Sequence, residues 1–170
     1  MIILSIGSNL KSNAGSKYQN IKKCIQLLSK NKVQPIKISH CYETPSYPNN
    51  KHPKFINVAL IIKFIGTPQK LLKITNLIEK KMGRLKTSKN KPRIIDIDII
   101  DYNKKIINTY NLVLPHPALK KRNFVLFPLK EILPGWEHPI NNKKIDFYIK
   151  KLTLKQTNEI TRINESDMFK

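Results

Sequence analysis

Two aspartates, Asp96 and Asp98, are the residues whose type and spacing could most readily do chemistry. They stand in an isoleucine-rich run at 94–100 whose composition is typical of a β-strand. Because side chains alternate along a strand, both carboxylates are predicted to point to one face, with Cα atoms about 7 Å apart. Carboxylates at that spacing could share a pair of metal ions, and such hard oxygen ligands suit Mg²⁺ bound jointly to phosphates.

The spacing alone leaves a second interpretation open, because two aspartates can also occur on a strand face that is merely solvated. Nearby cations favour chemistry, since they could neutralise a phosphate chain. These cations are Arg84, Arg93, His116 and Arg122. Asp101 has the opposite parity, so we expect it on the other face in a structural role.

The elements that must position these residues follow from hydrophobic periodicity. We predict strands at 1–6, 36–42, 55–65 and 94–102, with helices at 17–30 and 67–82. Thr67 and Pro68 are typical of a helix start, and Gly83 of a helix end. The resulting order is βαββαβ, which predicts an α+β fold of the ferredoxin-like sandwich type with C-terminal additions. The additions are a helix near 123–132, a helix near 145–152 and a loosely ordered polar tail at 153–170.

Length and composition place the chain in a broad class. Its 170 residues, 40% of them apolar, are consistent with one domain spanning 1–170. The longest apolar runs are far shorter than the roughly 20 residues of a membrane span, and the N-terminus does not have the pattern of a signal peptide. We therefore expect a monomer in the cytoplasm, without a membrane partner. Cys24 and Cys41 are expected to be reduced thiols.

The net charge of +21 raises a competing hypothesis, namely a basic RNA-binding module with the same fold. Such a module reads bases with aromatic residues on its sheet, whereas the strand at 94–100 carries carboxylates that would repel a phosphate backbone. The lysines are also spread along the whole chain. We therefore expect no nucleic-acid partner, and RNA binding without catalysis remains the alternative function. A two-metal nuclease is chemically possible, but the chain lacks a further acidic cluster.

Five motifs, in order over roughly residues 2–140, resemble those of the 6-hydroxymethyl-7,8-dihydropterin pyrophosphokinase family of folate biosynthesis. They are IGSNL at 6–10, YETP at 42–45, FIN at 55–57, PRIIDIDI at 92–99 and LPHPALKKRNFVLFPL at 114–129. The resemblance implies a single kinase domain that transfers pyrophosphate from ATP to the hydroxyl group of the pterin and releases AMP. In such a reaction, positioning and charge neutralisation dominate.

The resemblance also implies roles for individual residues. It implies that Asp96 and Asp98 hold two Mg²⁺ ions that bridge the ATP phosphates. The implied catalytic residues are Arg84, Arg93, Asp96 and Asp98. The implied ATP contacts are Asn76, Glu79, Arg84, Arg93, Ile99, His116 and Arg122.

The implied pterin site combines aromatic faces with a hydrogen-bonding edge, as a flat polar heterocycle requires. Phe55 and Phe124 match the stacking pair of the family, and Thr44 and Asn57 match its polar edge. Pro45 and Asp96 complete the implied pterin contacts. Asn90 and Lys91 depart from the family pattern, which often has an aromatic residue and a glycine just before the Pro-Arg pair.

Overall fold

The computed structural model describes residues 1–46, 50–84 and 91–163. Within these ranges, eight strands form two sheets. The strands are β1 (Ile2–Ser8), β2 (Gln34–Ile38), β3 (Cys41–Thr44), β4 (Phe55–Lys63), β5 (Asp96–Tyr102), β6 (Ile107–Asn108), β7 (Val113–Leu114) and β8 (Thr161–Ile163). The helices are α1 (Lys17–Lys30), α2 (Pro68–Lys81), α3 (Asn123–Ile132), α4 (Ile145–Ile149) and α5 (Leu154–Asn158), with a 3₁₀ turn at Leu119–Lys121.

The main sheet is antiparallel and has the strand order β5-β1-β4-β3-β8, with β2 also paired to β4. This arrangement confirms the predicted α+β ferredoxin-like fold. The single strand predicted at 36–42 is divided into β2 and β3, which are separated by Ser39 and His40. The Ser39 hydroxyl accepts a hydrogen bond from the Ala59 amide at 2.9 Å, so the side chain replaces a regular ladder contact at that point.

One face of the sheet is covered by α1 and α2. Ile2, Leu4 and Ile6 of β1 point to this face and are buried with apolar residues of both helices. The helix starts are fixed by side-chain caps, since Ser16 accepts from the Gln19 amide and Thr67 from the Lys70 amide. The predicted bounds of both helices and the role of Thr67 are thereby confirmed.

The other face is covered along part of its length by α3 and α4. Ile3 of β1, Ile61 of β4 and Ile100 of β5 pack there against residues of α3 and against Trp136. Further along the same face the residues become small and polar, and no helix covers them in the described part of the chain. This open end of the face lines a large cleft.

The prediction that Asp101 lies on the face opposite Asp98 is wrong. A β-bulge in β5 shifts the register, so that Leu4 pairs with Ile99 and Ile3 pairs with Asp101. Asp101 therefore lies on the same face as Asp98. Its carboxylate accepts hydrogen bonds from Trp136 Nε1 at 2.9 Å and from the Lys104 amide at 2.9 Å, so the predicted structural role is consistent with its contacts.

The prediction of a loosely ordered tail is wrong for residues 153–163. Thr153 is the N-cap residue of α5 and forms a capping box with Gln156. The Thr153 hydroxyl accepts a hydrogen bond from the Gln156 amide, and the Gln156 side chain accepts one from the Thr153 amide. The chain then returns to the main sheet as β8, which pairs with β3. Non-local strand pairing therefore orders a segment whose polar composition gave little local signal. Residues 164–170 lie outside the described residues.

None of the helices found in the described ranges has the length and apolar character that crossing a membrane would require.

Candidate active site

The open end of the sheet is a row of paired residues that includes both aspartates. Gly7 in the middle of the row pairs with Asp96 on β5 and with Asn57 on β4, and Ser5 pairs with Asp98. Paired residues of adjacent strands share a face, so the carboxylates point into the cleft as predicted. Because β1 contributes only small residues here, the sheet surface leaves room for a ligand. The cleft has a volume of about 2010 Å³.

Asp96 is held by two arginines that come from different parts of the chain. Its Oδ1 lies 2.6 Å from Arg84 Nη1 and 3.2 Å from Arg93 Nη1. Arg84 follows the end of α2, whereas Arg93 lies three residues before the start of β5. Two cations therefore converge at one carboxylate on the floor of the cleft.

Asp98 faces a second pair of cationic groups. Its Oδ2 lies 2.8 Å from Arg122 Nη1 and 3.7 Å from His116 Nε2. Although 28% of its side-chain surface is exposed, loss of solvation raises the pKa of Asp98, and the neighbouring charge of Asp96 adds to this effect. Burial likewise lowers the pKa of His116. His116 Nδ1 accepts from the Ala118 amide, which leaves the ring proton on Nε2, toward Asp98.

Glu79 links α2 to the outer edge of β5. Its Oε1 accepts a hydrogen bond from the Ile97 amide at 2.7 Å and forms an ion pair with Arg84. Burial raises the pKa of Glu79 to about 7, although Arg84 and the Ile97 amide act in the opposite direction. Glu79 thus fixes the guanidinium group of Arg84 between two carboxylates.

Next to these charged groups, the cleft combines aromatic rings with a polar edge. Phe55 and Phe124 both line it, from β4 and α3 respectively. Asn57 Nδ2 donates to Thr44 Oγ1 at 3.1 Å, and this contact determines which way the amide faces. A Cβ atom on Gly7 would lie 2.9 Å from Asn57 Oδ1 and 3.4 Å from a Phe55 ring carbon, so only glycine leaves this surface clear.

Most of the residues that the sequence predicts for the site lie together around this cleft. The lining includes Thr44, Pro45, Phe55, Asn57, Asn76, Glu79, Arg84, Arg93, Asp96, Asp98, His116, Arg122 and Phe124. Ile99 is different, because its side chain is buried in the core under α1 and α2, on the opposite face. Lys91 also lines the cleft. Asn90 lies outside the described residues.

Sequence reasoning missed one wall of the cleft. Lys121, Asn123, Lys155, Gln156 and Glu159 line this wall, and the last three belong to the segment that was expected to be loosely ordered. A signal was available in the sequence, since Thr-x-x-Gln at 153–156 is typical of a capping box and predicts a helix start. That signal was outweighed by the polar composition of the segment.

The donor set of the cleft fits Mg²⁺ in a specific way. Nowhere in the described ranges do three or more His, Cys, Asp or Glu residues form a cluster that could hold a metal ion. Asp96 and Asp98 are the two carboxylates that strand pairing places next to each other on the floor of the cleft. That arrangement suits Mg²⁺, which is often bound by one or two carboxylates together with substrate phosphates and water.

The cleft of this ferredoxin-like sheet contains paired carboxylates, three arginines and two phenylalanines. A protein of this class can bind a polyanion next to a flat ring. The chain belongs to the 7,8-dihydro-6-hydroxymethylpterin-pyrophosphokinase (HPPK) family, whose family model matches residues 3–134. The family is one of ATP-dependent pyrophosphokinases, which are transferases.

Individual relatives support this assignment. The chain is 38% identical over 146 residues to a 2-amino-4-hydroxy-6-hydroxymethyldihydropteridine pyrophosphokinase of Aquifex aeolicus. The matched region covers 86% of this chain and 91% of that protein. It is 41% identical over 140 residues to the folic acid synthesis protein FOL1 of Dictyostelium discoideum. This matched region covers 82% of this chain and 20% of that protein. The chain thus spans about a fifth of the length of the first curated relatives that it matches.

A solved structure shows the same fold. Plasmodium falciparum HPPK-DHPS superimposes with a TM-score of 0.72 at 18% sequence identity, covering 95% of this chain and 47% of that one.

Proposed function

We propose that the chain transfers the pyrophosphoryl group of ATP to the hydroxyl group of 6-hydroxymethyl-7,8-dihydropterin and releases AMP, in folate synthesis. One observation carries the proposal. A single cleft joins the carboxylate pair Asp96 and Asp98, with their arginines, to a slot that has two phenylalanines and an oriented asparagine. A polyphosphate and a flat polar heterocycle can therefore bind next to each other.

The arginines provide the positive charge that a transferring phosphoryl chain requires. Arg84, Arg93 and Arg122 are each held at the cleft floor by a carboxylate, so their guanidinium groups are positioned before substrate binds. Such preorganised charge stabilises the negative charge that develops during transfer. His116, with its ring proton on Nε2, adds a neutral donor at the same place.

Asp96 and Asp98 would hold two Mg²⁺ ions in our proposal. When bound, the ions would neutralise the polyphosphate and act as Lewis acids toward its oxygens. The two carboxylates are suited to this role because they lie next to each other on one strand face and belong to the hard oxygen class of ligand.

The pterin would occupy the slot over Gly7. Phe55 and Phe124 offer aromatic faces for stacking, and the Asn57 amide, oriented by Thr44, offers a donor and an acceptor to the ring edge. Pro45 forms part of the same wall. Asp96 pairs with Gly7 in the sheet, so it stands between this slot and the phosphate end of the cleft.

The nucleotide would extend from the carboxylates toward α2. Asn76 and Glu79 line that part of the cleft. Ile99 would contribute through its main chain, since Ile97 and Ile99 present their amides to the same outer edge of β5 and the Ile97 amide already donates there.

The proposed step balances without a covalent enzyme intermediate. The hydroxyl oxygen of the pterin forms a bond to the β-phosphorus of ATP. The bond between that phosphorus and the oxygen bridging it to the α-phosphorus breaks, and AMP leaves with the electron pair. The hydroxyl proton passes to solvent, and the protein supplies positioning and charge.

A nucleotide assay tests the proposal. The purified chain is incubated with ATP, Mg²⁺ and 6-hydroxymethyl-7,8-dihydropterin, and the nucleotide products are separated by chromatography. We expect AMP, formed only when the pterin is present, and lost when a chelator removes Mg²⁺. Formation of ADP would contradict pyrophosphoryl transfer, and the absence of any turnover by folded protein would contradict the proposed enzyme activity.

The cytoplasmic location, the monomeric state and the absence of a nucleic-acid partner stay predictions from the sequence.

A further inference from the structure

The start of α3 carries Arg122 and Phe124, which both line the cleft, with the guanidinium group of Arg122 5.4 Å from the centroid of the Phe124 ring. Arg122 is the N-cap residue, but its guanidinium group donates to Asp98, and no side-chain cap occurs at this helix start within the described residues. Three helices, α1, α2 and α5, begin with a hydroxyl side chain that accepts from the first turn, whereas α4, like α3, has no such cap. At the start of α3, a contact with another segment is present instead.

Two hydrogen bonds supply that contact, and we call them the 123–156 clasp. Asn123 Nδ2 donates to the carbonyl oxygen of Gln156 at 2.6 Å, and Gln156 Nε2 donates to the carbonyl oxygen of Lys121 at 3.1 Å. Each of the two amides thus donates to the main chain of the opposite segment. The residues on either side of Arg122 are joined in this way to α5.

The segment that provides Gln156 is itself anchored at the far wall of the cleft. Its capping box fixes the first turn of α5, because Gln156 Oε1 accepts from the Thr153 amide at 3.0 Å. Beyond α5, β8 pairs with β3. Since β3 ends at Thr44, the segment at 153–163 connects the strand that bears the polar edge to the helix that bears Phe124.

We infer that Asn123 and Gln156 are positioning residues, which hold Arg122 and Phe124 in the geometry that binds substrate. The inference rests on the proposed function, because it assigns the Arg122 side chain to the phosphates and the Phe124 side chain to the pterin in one site. It also gives the C-terminal segment a role in substrate affinity. A segment that merely covered the surface would leave affinity unchanged when the clasp is removed.

Two nearly isosteric substitutions can remove the clasp without removing local contacts. In Gln156→Glu, an oxygen still accepts from the Thr153 amide, but the donor to Lys121 is lost. In Asn123→Asp, an oxygen still accepts from the Phe124 amide, as Asn123 Oδ1 does at 2.7 Å, but the donor to Gln156 is lost. Asn158→Asp is the matched control, because it makes the same amide-to-acid change on an exposed residue of α5 outside the clasp.

The first readout is the steady-state kinetics of AMP formation. We expect KM for the pterin to rise about fivefold in Gln156→Glu and in Asn123→Asp, the effect of one lost hydrogen bond. We expect kcat per folded molecule to change much less, and Asn158→Asp to resemble the unsubstituted chain. If the clasp had only a structural role, the folded fraction would fall while KM stayed constant, and that result would overturn the inference.

The second readout does not depend on activity. Amide hydrogen exchange of residues 121–126 should accelerate about fivefold in both clasp variants and remain unchanged in Asn158→Asp. Unchanged exchange in the clasp variants would overturn the inference, even if the unsubstituted chain formed no AMP and the proposed function failed. Conversely, AMP formation by the unsubstituted chain, with unaltered KM in both clasp variants, would overturn the inference and leave the proposed function standing.

Discussion

The two ends of one sheet face differ in what the same strands place on them. At the covered end, Ile3 and Ile100 are buried under α3, as in an ordinary core. At the open end, the same face of β1 carries Ser5 and Gly7, which follow Ile3 at every second residue. On β5, this face carries Asp98 instead of an isoleucine. The same strands pair across both ends, with the bulge in β5 lying between them. The change from core to site is therefore made by side-chain size and charge, on either side of that bulge.

The two ends together allow a small fold to hold several charges in a confined space. The covered end contributes burial of apolar surface, which stabilises the sheet. The open end has carboxylates that repel each other and arginines that offset this repulsion. We expect substitutions at the covered end to change stability and substitutions at the open end to change chemistry.

Asp98 and Asp101, three residues apart on one face, give the strongest test of that separation. Asp98→Ala should lower turnover about a thousandfold, since it removes one proposed metal ligand and frees Arg122 from its partner. The fold should remain intact, because Asp98 lies at the open end of the sheet and belongs to neither hydrophobic core cluster of the described residues. AMP formation and thermal unfolding measure the two effects.

Asp101→Ala is the counterpart at the covered end. It leaves the buried Trp136 Nε1 and the Lys104 amide without their acceptor, which should cost about 1–3 kcal/mol of unfolding free energy. Turnover per folded molecule should be retained. A large loss of turnover in Asp101→Ala, with unchanged stability, would contradict the division of this face into two ends.

Ile100→Ala tests the covered end by packing alone. Ile100 is fully buried under α3, so its truncation should lower the free energy of unfolding by about 2–5 kcal/mol. Denaturant unfolding gives this value, and AMP formation at low temperature gives turnover per folded molecule, which we expect to persist. Loss of turnover without loss of stability would count against the proposed position of the site.

Glu79 tests how the open end tolerates a buried charge. Its pKa is raised to about 7 in the folded chain, against about 4.3 in the unfolded chain. The folded state therefore binds the proton more tightly, so this contribution to stability is complete below about pH 4.3 and is lost as pH rises through about 7.

Glu79→Gln removes that titration and keeps an acceptor for the Ile97 amide. Relative to this variant, the unsubstituted chain should lose about 1–3 kcal/mol of unfolding free energy between about pH 5 and pH 8. Denaturant unfolding at several pH values measures the difference. A difference that is constant with pH would show that Glu79 is ionised throughout this range.

Gly7→Ala should have the smallest effect and the most local one. Its Cβ would lie 2.9 Å from Asn57 Oδ1, so the amide must turn away from the contact with Thr44. We expect KM for the pterin to rise about tenfold, with little change in stability. Gly135→Ala is the control, because a Cβ there meets no described atom within 4 Å. Equal effects of the two substitutions would argue against a pterin slot over Gly7.

Local patterns predicted much of this architecture. Alternation along β5 predicted that Asp96 and Asp98 share a face, and a threonine followed by a proline predicted the start of α2. Both features depend on residues that are near in sequence. Matching motifs, by contrast, were needed to connect Phe55 with Phe124, which no periodicity relates.

Features that depend on distant partners could not be predicted in this way. The bulge that moves Asp101 to the site face exists because β5 must pair with β1, and alternation within one strand does not reveal it. Likewise, β8 becomes a strand by pairing with β3, although its own residues are mostly exposed and polar. The wall formed by α5 follows from the same non-local pairing.

The most direct test of the central claim follows each phosphorus of ATP. ATP labelled in turn at the α, β and γ phosphorus is incubated with Mg²⁺, the pterin and the chain, and the labelled products are separated. We expect the β and γ labels to move together to the pterin and the α label to remain in AMP. Transfer of the γ label alone, with the β label left in ADP, would contradict this expectation.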